Sequence, residues 1–355
     1  MQQPATLSLF LFRSVNNPEM GKGHKTQALK PCFNIESSPL WNYRASPLVN
    51  PAIVPSMPVS EFCRAIWLEQ LVQMIAKQAH VANRDSKAVH DMRVAIRRIR
   101  AAEKLFCSQF HKRKIARFFK QLRHTGRLLG AVRDLDVALE RLHTSHTSPD
   151  AGLPDSALES LRTHWQDERE DAQRKLLAWL KSNSYTRFVC DFLEFCQTAN
   201  AGSRPLPTRN ESALPPYQLC HLLPAILQER YGRVRAFEAV LLIDDHASLE
   251  TWHALRIECK ILRYALEFTA PFLGSAGAQL IDHLKQLQNV LGDLNDAAVS
   301  ADRISLLEKK APGLEAYRQR QHLQIERHKL LARQSFHDFI APANRWLLQR
   351  ALTKL

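Results

Sequence analysis

Several signals are absent from this sequence of 355 residues, and each absence argues against a class of protein. No run of 18 or more apolar residues occurs, so we predict no transmembrane helix. Seven cysteines without a CxxC pair argue against a disulfide framework or a zinc knuckle, and reduced thiols suggest a cytoplasmic location. No P-loop, G-x-S-x-G or HExxH motif is present, and the histidines lack metal-ligand spacing. We therefore expect no catalytic residue, no metal site and no cofactor.

The alternation of β-branched residues that indicates strands is also absent, and helical periodicity dominates from residue 58 onward. Residues 1–57 contain seven prolines and no periodicity, which predicts a disordered N-terminal extension. The segment 199–216 is rich in proline, serine and alanine and predicts a linker. We therefore expect an all-α domain over 58–350, with a first half at 58–198 and a second half at 217–350.

Positive charge is in excess and unevenly distributed. The chain carries a net charge of +14, which points to an anionic partner such as nucleic acid, polyphosphate or an acidic membrane surface. Between His90 and Arg133 there are 13 lysines and arginines and two acidic residues. An anion-binding surface is therefore expected in this stretch.

The stretch HDMRVAIRRIRAAEK predicts a helix with one basic face. At about 100° per residue, five side chains fall within an arc of roughly 80°: His90, Arg93, Arg97, Arg100 and Lys104. Like charges at i, i+4 repel each other, so such a face is favourable when an anion lies along it. A solvated surface without a ligand is the alternative interpretation of this helix taken alone.

The following helix carries a second basic row, which we call the second row: Arg117, Lys120, Arg123 and Arg127. Gly130 is expected to end this helix. Two helices joined by a short loop pack antiparallel, so the two basic faces are predicted to line one groove.

Both motifs recur later in the chain. The pattern His90-x-x-Arg93-x-x-x-Arg97-x-x-Arg100 returns, 163 residues later, as His253-x-x-Arg256-x-x-x-Lys260-x-x-Arg263. At an offset of 162, Leu129-Gly130-x-x-Arg133-Asp134 returns as Leu291-Gly292-x-x-Asn295-Asp296. Two matched blocks at nearly the same offset indicate a duplicated helical unit.

VHDMRVAIRRIRAAEKLF with LGAVRDLDV, followed by WHALRIECKILRYALEF with LQNVLGDLNDA, resembles the CHAD family, the conserved histidine α-helical domain. The resemblance implies an all-α fold of two pseudo-symmetric four-helix-bundle-like halves around a basic central channel. It also implies non-enzymatic binding of inorganic polyphosphate. The family's basic motif falls on His90, Arg93, Arg97, Arg100, His253, Arg256, Lys260 and Arg263, to which the helical pattern adds Lys104, the second row and Lys285 as further binding residues.

The second half departs from the first. Glu267 stands where the first half has Lys104, and the helix before Gly292 keeps only Lys285 of the second row's cations. We therefore expect the first half to contribute more affinity.

The alternative function is that of a helical nucleic-acid-binding protein. Base stacking needs aromatic side chains among the cations, and the basic rows contain none, which favours polyphosphate. A phosphohydrolase is a weaker alternative, because no nucleophile or carboxylate cluster is visible. The expected location is the cytoplasm, with association with polyphosphate granules as an extension of that hypothesis.

Two roles remain open for His90 and His253. Each lies at the start of its helix, where a ring nitrogen could donate to a phosphate oxygen beside the free backbone N–H groups. The alternative is a structural hydrogen bond, for example to Asp134 or Asp296. Those two aspartates are expected to brace arginines or cap helices.

Overall fold

The computed structural model describes residues 53–146, 155–205, 217–243, 247–308 and 315–354. Within these ranges the chain is helical, and its extended backbone is confined to isolated bridges. The predicted all-α fold is confirmed. No helix in the same ranges is both long enough and apolar enough to cross a bilayer.

Ten helices of eleven or more residues form the described part of the fold. They are α1 Val59–Ala82, α2 Ser86–Phe106, α3 Lys112–His146, α4 Asp155–Leu180, α5 Asn183–Gln197, α6 Leu219–Arg235, α7 Leu249–Phe268, α8 Ala270–Glu308, α9 Glu315–Ile340 and α10 Pro342–Leu352. A one-turn helix, Glu238–Leu241, follows α6, and α8 breaks after its first turn at Gly274, whose φ is 60°.

Helices α6 to α10 repeat the packing order of α1 to α5. In each series every helix packs against the next one along the chain. The two series also meet at their starts, where Pro58 and Gln218 form an antiparallel bridge and Val59 N donates to Tyr217 O at 2.9 Å. This arrangement agrees with the internal repeat seen in the sequence.

Local signals explain where the two motif helices begin. The carboxylate of Asp85 accepts hydrogen bonds from the backbone N–H groups of Lys87 and Ala88 and caps α2. Ser248 caps α7 in the same way through the N–H of Thr251. Each helix buries its apolar face, so the basic motif lies on the face turned away from its own half's core.

The prediction that Gly130 ends the third helix is wrong. Helix α3 continues through Gly130 to His146, because Leu129, Val132 and Leu135 keep an apolar face buried beyond the glycine. An interior glycine lowers helix stability by about 1 kcal/mol relative to alanine, which this packing offsets. A Cβ at Gly130 would lie 3.9 Å from the guanidinium carbon of Arg93, so the glycine also gives this arginine room.

The predicted extension and linker fall partly outside the described residues, which exclude 1–52 and 206–216. The remaining ends of both segments are packed. Leu219 N donates to Met57 O at 3.0 Å, and the buried Arg64 donates to Ala201 O at 3.3 Å. The helical fold therefore uses residues on both sides of the predicted boundaries.

Candidate functional site

The two motif helices, α2 and α7, contact each other where the two halves meet. Arg98 Nη1 on α2 donates to Glu267 Oε2 on α7 at 2.6 Å, and Lys104 Nζ donates to Glu258 Oε1 at 3.2 Å. The earlier residue of α2 pairs with the later residue of α7, so the helices run in opposite senses where they cross. This crossing brings the basic faces of both halves together.

Five cations from the two helices form what we call the basic cluster: Arg93, Arg97, Arg256, Lys260 and Arg263. Burial and the positive charges of the four arginines together lower the pKa of Lys260 to about 7. Burial also lowers the pKa of Arg97, opposed by nearby Tyr264 and assisted by Arg93 and Arg263. The cluster thus joins side chains that lie more than 150 residues apart in the chain.

The guanidinium groups of the basic cluster are short of hydrogen-bond acceptors. The Nε atoms of Arg97, Arg256 and Arg263 are buried and have no hydrogen-bond partner among the described residues. A buried donor without a partner is unfavourable, and a charged one more so. An anion with several oxygens would satisfy these donors and offset the repulsion among the five cations.

Carboxylates line the edge of the basic cluster. Arg93 Nη1 donates to Asp134 Oδ1 at 2.7 Å, and Arg141 Nη2 donates to Asp296 Oδ2 at 3.0 Å. Asp296 also acts on Arg256, whose pKa is lowered chiefly by burial and partly restored by this carboxylate. Both aspartates lie inside helices, so the prediction that they brace arginines is confirmed and helix capping does not apply.

The two motif histidines have different surroundings. His253 Nδ1 lies 2.8 Å from Asn295 Oδ1, so its partner is neither of the aspartates considered from the sequence. In the repeat, Arg133 stands where the second half has Asn295. Desolvation of the His90 ring, and then the charges of Arg133 and Arg97, lower the pKa of His90. Direct contact of either histidine with a ligand stays a prediction.

At the far end of the α2–α7 crossing the cations are paired with glutamates. Glu258 lies 3.2 Å from Lys104 and 3.6 Å from Arg230, and Glu267 lies within 3.7 Å of both Arg98 and Arg263. Lys104, predicted as a binding residue, therefore already has an internal counter-ion. Glu258 and Glu267 neutralise this end of the crossing, whereas the basic cluster keeps an excess of positive charge.

The second row does not join the basic cluster as one unit. Arg117 lies 3.7 Å from Asp191 on α5 and stacks on Phe118. Arg123 and Arg100 both act on Glu103, whose pKa is raised by burial and lowered by these two arginines. The second-row residues are exposed on α3, and Lys285, also exposed, lies 3.0 Å from Asp282. These residues surround the cluster at greater exposure.

Three cations beside the basic cluster were not predicted as site residues: Arg98, Arg133 and Arg141. A signal for Arg141 was present, because it lies seven residues after Asp134 and therefore on the same face of a continuous helix. It was missed because α3 was expected to end at Gly130. Within the described ranges, no group of three histidine, cysteine, aspartate or glutamate side chains is placed to hold a metal ion.

Comparison with known proteins identifies similar chains. The model of the CHAD domain family matches residues 65–305. Two curated relatives are uncharacterized proteins from Mycobacterium tuberculosis strains CDC 1551 / Oshkosh and ATCC 25618 / H37Rv. Each is 27% identical over 259 residues, which are 70% of this chain and 46% of the relative. The chain thus spans about half the length of these relatives.

Two solved structures share the fold. One is the crystal structure of the CHAD domain from the plant Ricinus communis, with a TM-score of 0.58, 24% identity, and coverage of 88% of this chain and 98% of that one. The other is PptA from Streptomyces chartreusis, with a TM-score of 0.54, 16% identity, and coverage of 84% of this chain and all of that one. At these identities the likeness concerns the fold alone.

Proposed function

Because this chain belongs to the CHAD domain family, we propose that it binds inorganic polyphosphate through the basic cluster between α2 and α7. The observation that carries the proposal is the set of buried guanidinium Nε atoms without acceptors, contributed by both helices around Lys260. Polyphosphate offers a dense series of anionic oxygens, which match arginine forks and a lysine point charge.

The proposed role is binding without a catalytic step. The exposed second row and Lys285 would extend the positive surface along which a flexible polyanion continues beyond the basic cluster. Cytoplasmic location and association with polyphosphate granules belong to the same proposal, since granules would supply the ligand.

The aromatic side chain nearest to these cations argues for polyphosphate over nucleic acid. Tyr264 is buried, and its ring lies 5.6 Å from the guanidinium carbon of Arg98 and 5.2 Å from that of Arg263. A ring already covered by arginines cannot stack on a base. Recognition at the basic cluster would therefore rest on phosphate oxygens.

A competition experiment tests the proposal. Fluorescent polyphosphate is bound to the purified protein and displaced with unlabelled polyphosphate, DNA, RNA or ATP at several salt concentrations. We expect unlabelled polyphosphate to displace the probe at the lowest phosphate concentration, and affinity to fall steeply with salt, because counterions are released on binding. Equal displacement by DNA or RNA would overturn the assignment.

Matched charge reversals locate the binding. Arg97→Glu with Arg256→Glu changes the basic cluster, and Arg162→Glu with Arg174→Glu changes net charge equally at exposed positions of α4. Loss of binding in the first variant alone is expected. Equal loss in both would show that net charge, and not the basic cluster, governs binding.

A further inference from the structure

Lys260 differs from the other members of the basic cluster because its amine can lose its charge. It is half-buried on α7, with Arg256 and Arg263 on its own helix and Arg93 and Arg97 on the facing helix α2. The carboxylates on α7 and on the adjacent α8 pair with other cations: Glu258 with Lys104 and Arg230, Glu267 with Arg98, and Asp296 with Arg141. The amine is thus surrounded by guanidinium groups.

Two properties of an acylation site meet at this position. With its pKa lowered to about 7, a large share of Lys260 is the neutral, nucleophilic amine near neutral pH. Beside it are the buried Nε donors of Arg97, Arg256 and Arg263, which have no acceptor among the described residues and suit a phosphoryl group. The amine also remains reachable from solvent, since Lys260 is only partly buried.

We propose that Lys260 is a covalent modification site at which small acyl phosphates acylate the amine, with their phosphate held by the arginines of the basic cluster. The inference rests on the proposed function in one respect, namely that these arginines bind phosphate. The ligand class is different, because an acyl phosphate carries one phosphate and a reactive carbonyl.

The reaction balances without a further reactant. The neutral Nζ attacks the carbonyl carbon, forming an N–C bond, and the C–O bond to phosphate breaks. The electron pair of that bond leaves with inorganic phosphate, which the arginines stabilise as an anion. The nitrogen loses one proton to water or to the departing phosphate, and the product is an amide on Lys260.

Acylation would change the basic cluster itself. The amide is neutral, so the modified protein loses the charge that Lys260 regains when a polyanion is bound. Acylated protein should therefore bind polyphosphate more weakly, and bound polyphosphate should protect the amine. The site would couple polyphosphate binding to the supply of acyl phosphates.

The test uses the full chain and acetyl phosphate, with the rate at each lysine followed by peptide mass spectrometry. The exposed Lys120 serves as the reference within the same molecule. We expect Lys260 to react at least tenfold faster than Lys120 near neutral pH. With p-nitrophenyl acetate, an acyl donor without phosphate, this preference should shrink severalfold. Equal rates with acetyl phosphate, or the same preference with both donors, would overturn the inference.

Variants separate this inference from the polyphosphate proposal. Arg97→Gln should slow acetylation of Lys260 by acetyl phosphate but not acetylation of Lys120. Lys260→Arg should remove the labelled peptide while keeping the charge and the binding of labelled polyphosphate. If the unmodified protein binds polyphosphate and Lys260 shows no preference, only the acylation site fails. If polyphosphate does not bind, the proposed function fails whatever the labelling.

Discussion

Arg98 Nη1 donates to Glu267 Oε2 at 2.6 Å across the boundary between the two halves. Both side chains are largely shielded from solvent, with 25% and 19% of their surface exposed. Glu267 also lies 3.7 Å from Arg263, a member of the basic cluster. The carboxylate therefore has two effects: it joins the halves and it competes with an external anion for cluster cations.

Replacing Glu267 should separate these effects. In Glu267→Gln, the loss of a negative charge beside the cluster should raise polyphosphate affinity by about two- to tenfold. The same change leaves partly buried arginines without a counter-ion and should lower the melting temperature by a few degrees. Titration with labelled polyphosphate and thermal unfolding measure the two effects. Glu229→Gln, which removes an exposed carboxylate paired with Arg233, is the control and should change neither.

The free protein should gain stability when Lys260 loses its amine. The folded pKa of about 7 lies below the usual lysine value, so the unfavourable charge is fully present below pH 7 and diminishes as pH rises toward the unfolded pKa. Lys260→Met should therefore raise the melting temperature by roughly 2 °C or more at pH 6, with a smaller gain at pH 8.5. A lower melting temperature at pH 6 would contradict the repulsion assigned to this lysine.

Polyphosphate affinity should depend on pH through the same amine. A bound polyanion favours the ammonium form, so the complex takes up a proton wherever the free lysine is neutral. Affinity should be highest below pH 7 and fall by up to about tenfold per pH unit above it, until the pKa of the complex is reached. Titrations between pH 6 and pH 9 measure this slope. In Lys260→Met the decline above pH 7 should disappear, and an unchanged slope would place Lys260 outside the binding site.

The basic cluster should contribute more affinity than the second row. Arg256→Gln with Lys260→Gln removes two partly buried cations, and Lys120→Gln with Arg127→Gln removes two exposed ones. Exposed charges are screened by water and salt, so the first double variant should lose more affinity at moderate salt. The expectation that the first half contributes more thus loses support from the geometry. A larger loss in the second variant would restore it.

The helices and the repeat were predictable because they depend on local pattern. The spacing of His90, Arg93 and Arg97 defines a helix face, and its recurrence at His253 identifies the second copy. The caps at Asp85 and Ser248 are likewise local signals.

Pairing across the halves was not predictable, because it depends on how the two copies cross. Nothing near Lys104 in the sequence indicates that Glu258 lies 3.2 Å away, and Arg98 was overlooked for the same reason. Gly130 misled the prediction because a glycine that ends many helices here gives room to Arg93 on a neighbouring helix. The length of α3 depends on that tertiary contact.

The central claim is that arginines from both halves bind one polyanion at one site. A double-mutant cycle with Arg97→Gln and Arg256→Gln tests it, with polyphosphate affinity measured for the wild type, both single variants and the double variant. Each single change should reduce affinity roughly tenfold, and the two losses should be non-additive by about 0.5–3 kcal/mol. Arg97→Gln combined with the remote Arg174→Gln should be additive. Additive losses for Arg97 and Arg256, or unchanged affinity in either single variant, would contradict a shared site.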